Sequence, residues 1–341
     1  MHKKSAIRQR LLIGSAGLAT AALLLAGCSA PAADPGTGGD GLDGKVVALV
    51  GYGDASPWGA HYNKTYTPIL EDQGVEVLDL TSMDPGTQVQ NFNQAISQKP
   101  DVIVTLVWDT AAMVAPMKKA FAAGIPVIIV DGPPDPSIAD DPGLYAVLSD
   151  NYALGQIAAQ NIVDGLTAQG KTEGKVIAIT GTTAMIITQD RMDGFHDVFA
   201  ENPGFEVIDE QDSNWDPTAA GTIARQLLAK YGPDGVDGAY GMADYLAIPI
   251  INAAKELGFA VGGDDGLIIS GGNCFKVGID AIKAGELYGT ATEDPGTIAE
   301  QSADYTAQLL AGDDVERVVT IKEEAVTPDT VDQFADQCSN A

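Results

Sequence analysis

The sequence predicts an α/β protein built as two similar, doubly wound parallel-sheet lobes. Three observations lead there. Runs of about five residues rich in Val and Ile alternate with helical stretches of ten or more, the signature of a parallel sheet with helices on both faces. The chain also restarts: KVVALVGYGD at 45–54 is answered by KVIAITGTTA at 175–184. Landmarks then recur in order, Val77 with Val207, Pro85 with Pro217 and Pro100 with Pro233, at offsets of 130 to 133 residues. With 341 residues and 45% apolar content, the chain is long enough for two separate cores.

In the first half, KVVALV opens as a strand, YNKTYTPILEDQG follows as a helix and VEVLDL as the second strand. The next stretch, SMDPGTQVQNFNQAISQKPD, carries a helix into the third strand, DVIVTLV at 101–107. The helix MVAPMKKAFAAG and the strand PVIIVD complete the half. In the second half, KVIAIT, the helix in DRMDGFHDVFAENPG, FEVIDE, the helix in SNWDPTAAGTIARQLLAKYGPD and GVDGAYGM repeat the pattern. LAIPIINAAKELG and GLIISG then close it.

Open parallel sheets bind ligands at the carboxyl ends of their strands, where the loops diverge. The chain has three tryptophans, Trp58, Trp108 and Trp215, and each is placed in a loop just after an expected strand. One such ring is as well suited to plugging the end of a sheet as to stacking on a ligand. Three in equivalent places point to a site, and an indole face suits the C–H face of a sugar ring.

The N-terminus reads as an address. Residues 1–10 hold two Lys and two Arg and no acid, and LLIGSAGLATAALLLAG follows, an apolar run too short for a comfortable membrane span. It ends in Leu25-Ala26-Gly27-Cys28, which resembles the bacterial lipobox, so residues 1–27 are expected to be a lipoprotein signal peptide and Cys28 the lipidated residue. Residues 28–44, rich in Pro, Gly and Ala, read as a flexible tether, with folding expected from Lys45. Four of the 19 Lys and Arg residues lie in 1–27, leaving 15 against 47 acids, a net charge of −32. Nucleic acid and anionic headgroups are excluded as partners on that charge. Cys274 and Cys338 remain in an oxidising compartment, where a disulfide between them is expected. His61 and His196 read as surface or packing residues, and no metal site or cofactor is readable.

The chain resembles the type I periplasmic substrate-binding proteins, of the ribose/galactose-binding kind that feed ABC importers. SPWG at 56–59, GIPVIIVDG at 124–132, LSDNYALGQIAA at 148–159 and QDRMDGF at 189–195, in order and with two-lobe spacing, carry the resemblance over about residues 45–326. It implies a three-segment hinge, with residues 45–149 and 294–321 in the first lobe and 150–293 and 322–341 in the second. It implies a ligand site at Ser56, Trp58, Asp131, Arg191, Trp215 and Glu293, to which Trp108, Asp244 and Asn273 are added as further candidates. Acceptors, a forked donor and aromatic faces make a chemically sensible sugar site. Asp131 has the alternative of capping a turn, Arg191 of pairing with a carboxylate on its own helix, and Asp244 of capping the helix it precedes. Gly132, Ala243 and Gly59 depart from the ribose-binding pattern, and SGGNC at 270–274 replaces its Gly-x-Asp. The expected ligand is therefore a neutral monosaccharide or polyol other than ribose. Acids outnumber bases among the inferred contacts, which excludes phosphorylated or carboxylated compounds and leaves neutral polyhydroxy compounds or a cation.

The expected role is non-enzymatic: a monomer anchored outside the cytoplasm by lipid, handing its ligand to an ABC permease. A receptor passing a nucleoside or furanose signal to a sensor is the alternative. GLTAQGKT at 165–172 fits the Walker A pattern but follows a helix and precedes a strand, the reverse of what a phosphate loop requires. Gly51-Tyr52-Gly53 with Ser56 and Asp79 is half of a dinucleotide fingerprint, with Ser56-Pro57 in place of its third glycine. Replacing Cys28 with Ala should abolish incorporation of labelled fatty acid and release the protein from membranes or stall its export.

Overall fold

The computed structural model describes residues 41–339. Cys28, the signal segment and most of the tether lie outside the described residues. The fold begins slightly earlier than Lys45, because Leu42 is buried in the first core and its carbonyl accepts from Lys45 N at 2.9 Å.

The first repeat runs β1 (Val46–Val50), α1 (Pro57–Glu71), β2 (Glu76–Asp79), α2 (Pro85–Gln98), β3 (Val102–Thr105), α3 (Thr110–Ala122) and β4 (Val127–Asp131). β5 (Leu144–Ser149) extends its sheet. The second runs α4 (Asn151–Ala168), β6 (Gly174–Thr180), α5 (Ile186–Glu201), β7 (Phe205–Asp212), α6 (Pro217–Tyr231), β8 (Gly238–Gly241), α7 (Asp244–Glu256) and β9 (Ile268–Ser270). After α8 (Lys276–Lys283) come β10 (Thr290–Ala291), α9 (Pro295–Ala311), β11 (Val318–Ile321), β12 (Ala325–Val326) and α10 (Val331–Phe334).

The two sheets repeat one order. β2-β1-β3-β4 is matched by β7-β6-β8-β9, every pairing parallel. Even the register corresponds, with Val47 beside Val77 as Val176 is beside Val207. The first sheet adds β5 and then β11, so residues 318–321 return to it from beyond the second repeat. β10 and β12 pair antiparallel where the chain passes between the sheets. Three passages result: at 149–151, at 291–295 and at 321–325.

Four helix starts follow one rule. Ser56-Pro57, Asp84-Pro85, Asp216-Pro217 and Asp294-Pro295 each place a capping oxygen before a proline at the first helical position. The side chain satisfies a free N–H of the first turn, and proline has none to satisfy there. Apolar side chains line both faces of the first sheet and a single large core surrounds the second.

α4 and α5 meet through glycine. A Cβ on Gly155 would lie 1.8 Å from the Arg191 carbonyl oxygen, and one on Gly194 would lie 2.1 Å from that of Tyr152. Backbone contact this close sets Arg191 on α5 opposite Asn151, the first residue of α4.

Cys274 and Cys338 are joined by a disulfide, with Cα atoms 5.1 Å apart and a separation of 64 residues. The bridge fastens the segment after α10 to the loop that follows β9. Closing a loop of that length removes about 4 kcal/mol of unfolded-chain entropy. Cys338→Ser should lower the unfolding free energy in denaturant by about that amount, and the unfolded, unreduced parent should show neither thiol in a free-thiol titration.

Candidate functional site

The carboxyl ends of both sheets face one cavity of about 380 Å³. The loop after β1 contributes Tyr52 and Ser56, the first turn of α1 contributes Trp58, the loop after β3 contributes Trp108, and Asp131 ends β4. Across from them stand Met185 and Ile187 before and within α5, Arg191 one turn further, Trp215 after β7, Tyr245 on α7 and Asn273 after β9.

Crowding sets the aromatic wall. Trp58 stacks on Tyr62 at 5.3 Å and Tyr62 on Tyr66 at 5.3 Å, a column running down α1. The Tyr62 and Tyr66 hydroxyls hydrogen-bond Ser302 at 2.7 Å and Thr306 at 3.0 Å on α9, which fixes the column from behind. Trp108 is held by its backbone N–H, which donates to buried Gln88 at 3.0 Å, while its indole N–H donates to the Ser82 carbonyl at 3.1 Å. Trp215 lies flat over Gly181, where a Cβ would fall 1.9 Å from the ring.

The glycine departures make room for cavity residues. A Cβ on Gly132 would stand 2.6 Å from Ile187 Cγ2, a side chain of the opposite lobe. A Cβ on Gly59 would stand 2.9 Å from Tyr52 Cβ, so Tyr52 takes up the space that a side chain at 59 would need. The described cleft is closed, its two walls in contact.

Arg191 is almost fully buried. Its Nε donates to Asn151 Oδ1 at 2.7 Å, one terminal nitrogen donates to the Met242 carbonyl at 3.3 Å, and the other pairs with Glu293 at 3.4 Å. Glu293 also accepts from Trp58 Nε1 at 2.9 Å and from the Asn273 side-chain amide. Burial pushes the Glu293 carboxyl well above the usual range, against the opposing pull of Arg191. Burial likewise raises Asp131, again opposed by Arg191. Burial alone would lower Arg191, but Glu293 and Asp131 outweigh it and hold the guanidinium charged.

Four of the six described non-glycine residues with positive φ line this cavity, Asp131, Asn214, Trp215 and Asn273, and a fifth, Cys274, directly follows the last of them. That conformation costs about 1 kcal/mol or more per residue, and strain concentrated at one place marks a site over-determined by its surroundings.

Seven of the nine candidate residues line the cavity: Ser56, Trp58, Trp108, Asp131, Arg191, Trp215 and Asn273. Trp58 stands in the first turn of α1 rather than in a loop. Glu293 sits behind the wall, touching Trp58, Asn273 and Arg191. Asp244 does neither thing expected of it. Ala243 occupies the cap position of α7, and the fully buried Asp244 accepts from Phe275 N at 2.7 Å, wedged between Gly271 and Gly278. Lys171 of the Walker-like stretch is engaged by Asp237 at 2.5 Å, and Asp79 of the half-fingerprint by the Thr81 turn.

Tyr52, Met83, Met185, Ile187, Asn214 and Tyr245 line the cavity without having been singled out in the sequence, and Asn151 orients Arg191. Tyr52 could have been found, since it directly follows β1, and Asn151 lies inside LSDNYALGQIAA. Met185 and Ile187 carried no signal that separates them from core residues. Among the described residues no cluster of three or more His, Cys, Asp or Glu side chains could hold a metal.

Residues 47–314 match a family model described as the periplasmic binding protein domain. The chain belongs to the periplasmic binding protein family. This binding protein is 28% identical over 259 residues to a putative rhizopine-binding protein of Rhizobium meliloti, covering 73% of the chain and 77% of the relative. It is 25% identical over 251 residues to a xylitol-binding protein of Mycolicibacterium smegmatis, covering 73% of the chain and 67% of the relative. Its fold matches the crystal structure of a Caulobacter myo-inositol binding protein with a TM-score of 0.77 at 20% identity, covering 86% of this chain and 96% of that one. The two-lobed type I architecture is therefore that of the family.

Burial holds the Asp244 carboxyl at about 7 against an ordinary value of 3.8. The folded binding protein keeps that proton where the unfolded chain has released it, so this contribution to stability is lost as pH rises toward and through about 7. An isosteric amide has no proton to lose. Asp244→Asn should melt near the parent temperature at pH 5 and above it at pH 8, as read by scanning calorimetry.

Proposed function

We propose that this binding protein captures a monosaccharide or polyol carrying no anionic group between its two lobes and delivers it to an ABC importer. It acts outside the cytoplasm, held to the membrane by lipid on Cys28. One observation carries the reading: a cavity of about 380 Å³ at the carboxyl ends of both sheets, walled by aromatic rings and holding one buried guanidinium and one buried carboxylate. Aromatic faces suit the C–H surface of a sugar ring, and Asp131 and Arg191 supply the acceptor and the forked donor that vicinal hydroxyls need. Two carboxyls around Arg191 disfavour a phosphate or carboxylate ligand. The names of the relatives support the same class, since they include a xylitol-binding protein and a ribose import binding protein of Bacillus subtilis.

Trp58 and Asp131 come from the first lobe, Arg191 and Trp215 from the second. A ligand touching both favours the closed state by its differential contacts, and the closed state is the form a permease reads. The test begins with a thermal-shift panel of pentoses, hexoses, polyols and nucleosides, followed by calorimetric titration of the best ligand. Arg191→Ala and Trp215→Ala should each weaken binding at least about tenfold, with folding checked by circular dichroism. Lys171→Ala should leave affinity unchanged. Small-angle scattering should show compaction on saturation; tight binding without compaction, or full affinity in both site variants, overturns the clamp.

A further inference from the structure

The ionic groups around the cavity do not balance. Asp131 and Glu293 are both buried and Arg191 is the one base among the lining residues, so two carboxyls share a single positive charge. That charge is committed to Glu293, with which Arg191 makes its ion pair. Asp131 stands in the cavity wall only 2% exposed, and among the described residues no Lys, Arg or His makes a contact ion pair with it. Asn151 gives its side chain one long hydrogen bond at 3.4 Å. Arg191 acts on Asp131 only at longer range, and a buried carboxylate without a contact partner is costly unless a cation or a proton reaches it.

The hydrogen-bond inventory leans the same way. All three indole N–H groups are spent on the protein: Trp58 on Glu293, Trp108 on the Ser82 carbonyl, Trp215 on the Met185 sulfur. The Tyr52 hydroxyl donates to the Val107 carbonyl at 3.3 Å. Meanwhile Asn273 Oδ1, on a side chain 2% exposed that lines the cavity, has no hydrogen-bond partner. Its amide nitrogen is taken by Glu293, which leaves the oxygen as a free acceptor. Asp131 and Asn273 Oδ1 thus stand in the wall as buried acceptors with no cation paired to them.

We propose that the preferred ligand is an aminated monosaccharide or polyol, whose ammonium group pairs with Asp131 while its hydroxyls donate to Asn273. The surrounding indole and phenol faces suit both the C–H surface of the ring and a cation. This inference rests on the sugar or polyol reading above and narrows it.

Matched pairs test it by calorimetry at pH 7: D-glucosamine against D-glucose, D-galactosamine against D-galactose, glucamine against D-sorbitol and an aminodeoxy-inositol against myo-inositol. In the pair that binds best, the amine should bind at least about tenfold tighter than its parent. That preference should collapse in Asp131→Asn and fade as pH rises above the amine's own pKa in the parent protein. Should the Asn variant not fold, the pH series on the parent decides. Equal or tighter binding of the neutral partner overturns this inference and leaves the sugar reading standing; the missing charge then enters as a proton, seen as a binding enthalpy that varies with buffer. A panel in which neither series binds overturns both readings.

Discussion

The closed cleft depends on one buried ion pair. Glu293 lies on the second passage between the sheets, and it receives Trp58 from the first lobe and Arg191 and Asn273 from the second. Such a pair is poor at adding net stability, because taking two charges out of water costs about what their attraction returns. Its value is positional. A guanidinium with Asn151, Met242 and Glu293 at three of its edges has one orientation open to it, and the indole that shares the carboxylate is fixed with it. Breaking either side would leave an uncompensated charge in the interior, so the arrangement forms as a unit or not at all.

Shape in this site is set by what is missing as much as by what is present. Gly132 leaves space that Ile187 enters from across the cleft, Gly59 leaves space for Tyr52, and Gly181 provides the bed for Trp215. Gly155 and Gly194 let α4 and α5 approach to backbone contact, which decides how far Arg191 reaches. Each glycine thus exchanges a side chain of its own for the position of another.

The duplication, the alternation of strand and helix along each half and the end of the sheets that faces the cleft were legible because periodicity and repeat landmarks act locally. Trp58, Trp108 and Trp215 were legible for a related reason: a large aromatic just beyond a strand is out of register with the core. β10, β11 and β12 were not, since their pairing is made by chain returning from elsewhere and two of them are two residues long. Asp244 was misread because its neighbours Phe275, Gly271 and Gly278 are distant in sequence, and burial that comes from such neighbours leaves no local pattern. Met185 and Ile187 were invisible for the same reason: facing Trp215 and Gly132, they look like any apolar residues at a helix start.

The disulfide gives the pocket a history. Cys274 directly follows Asn273, which lines the cavity, and its partner arrives 64 residues later in synthesis. Glu293, the hub of the closed cleft, is itself translated after every aromatic that lines the wall. A growing chain therefore holds its rings and its guanidinium before it can assemble them into a trap. Where thiols stay reduced, the loop bearing Asn273 lacks its tie to the last strap. The cleft is thus completed only when the last part of the chain has been made and Cys338 has met Cys274.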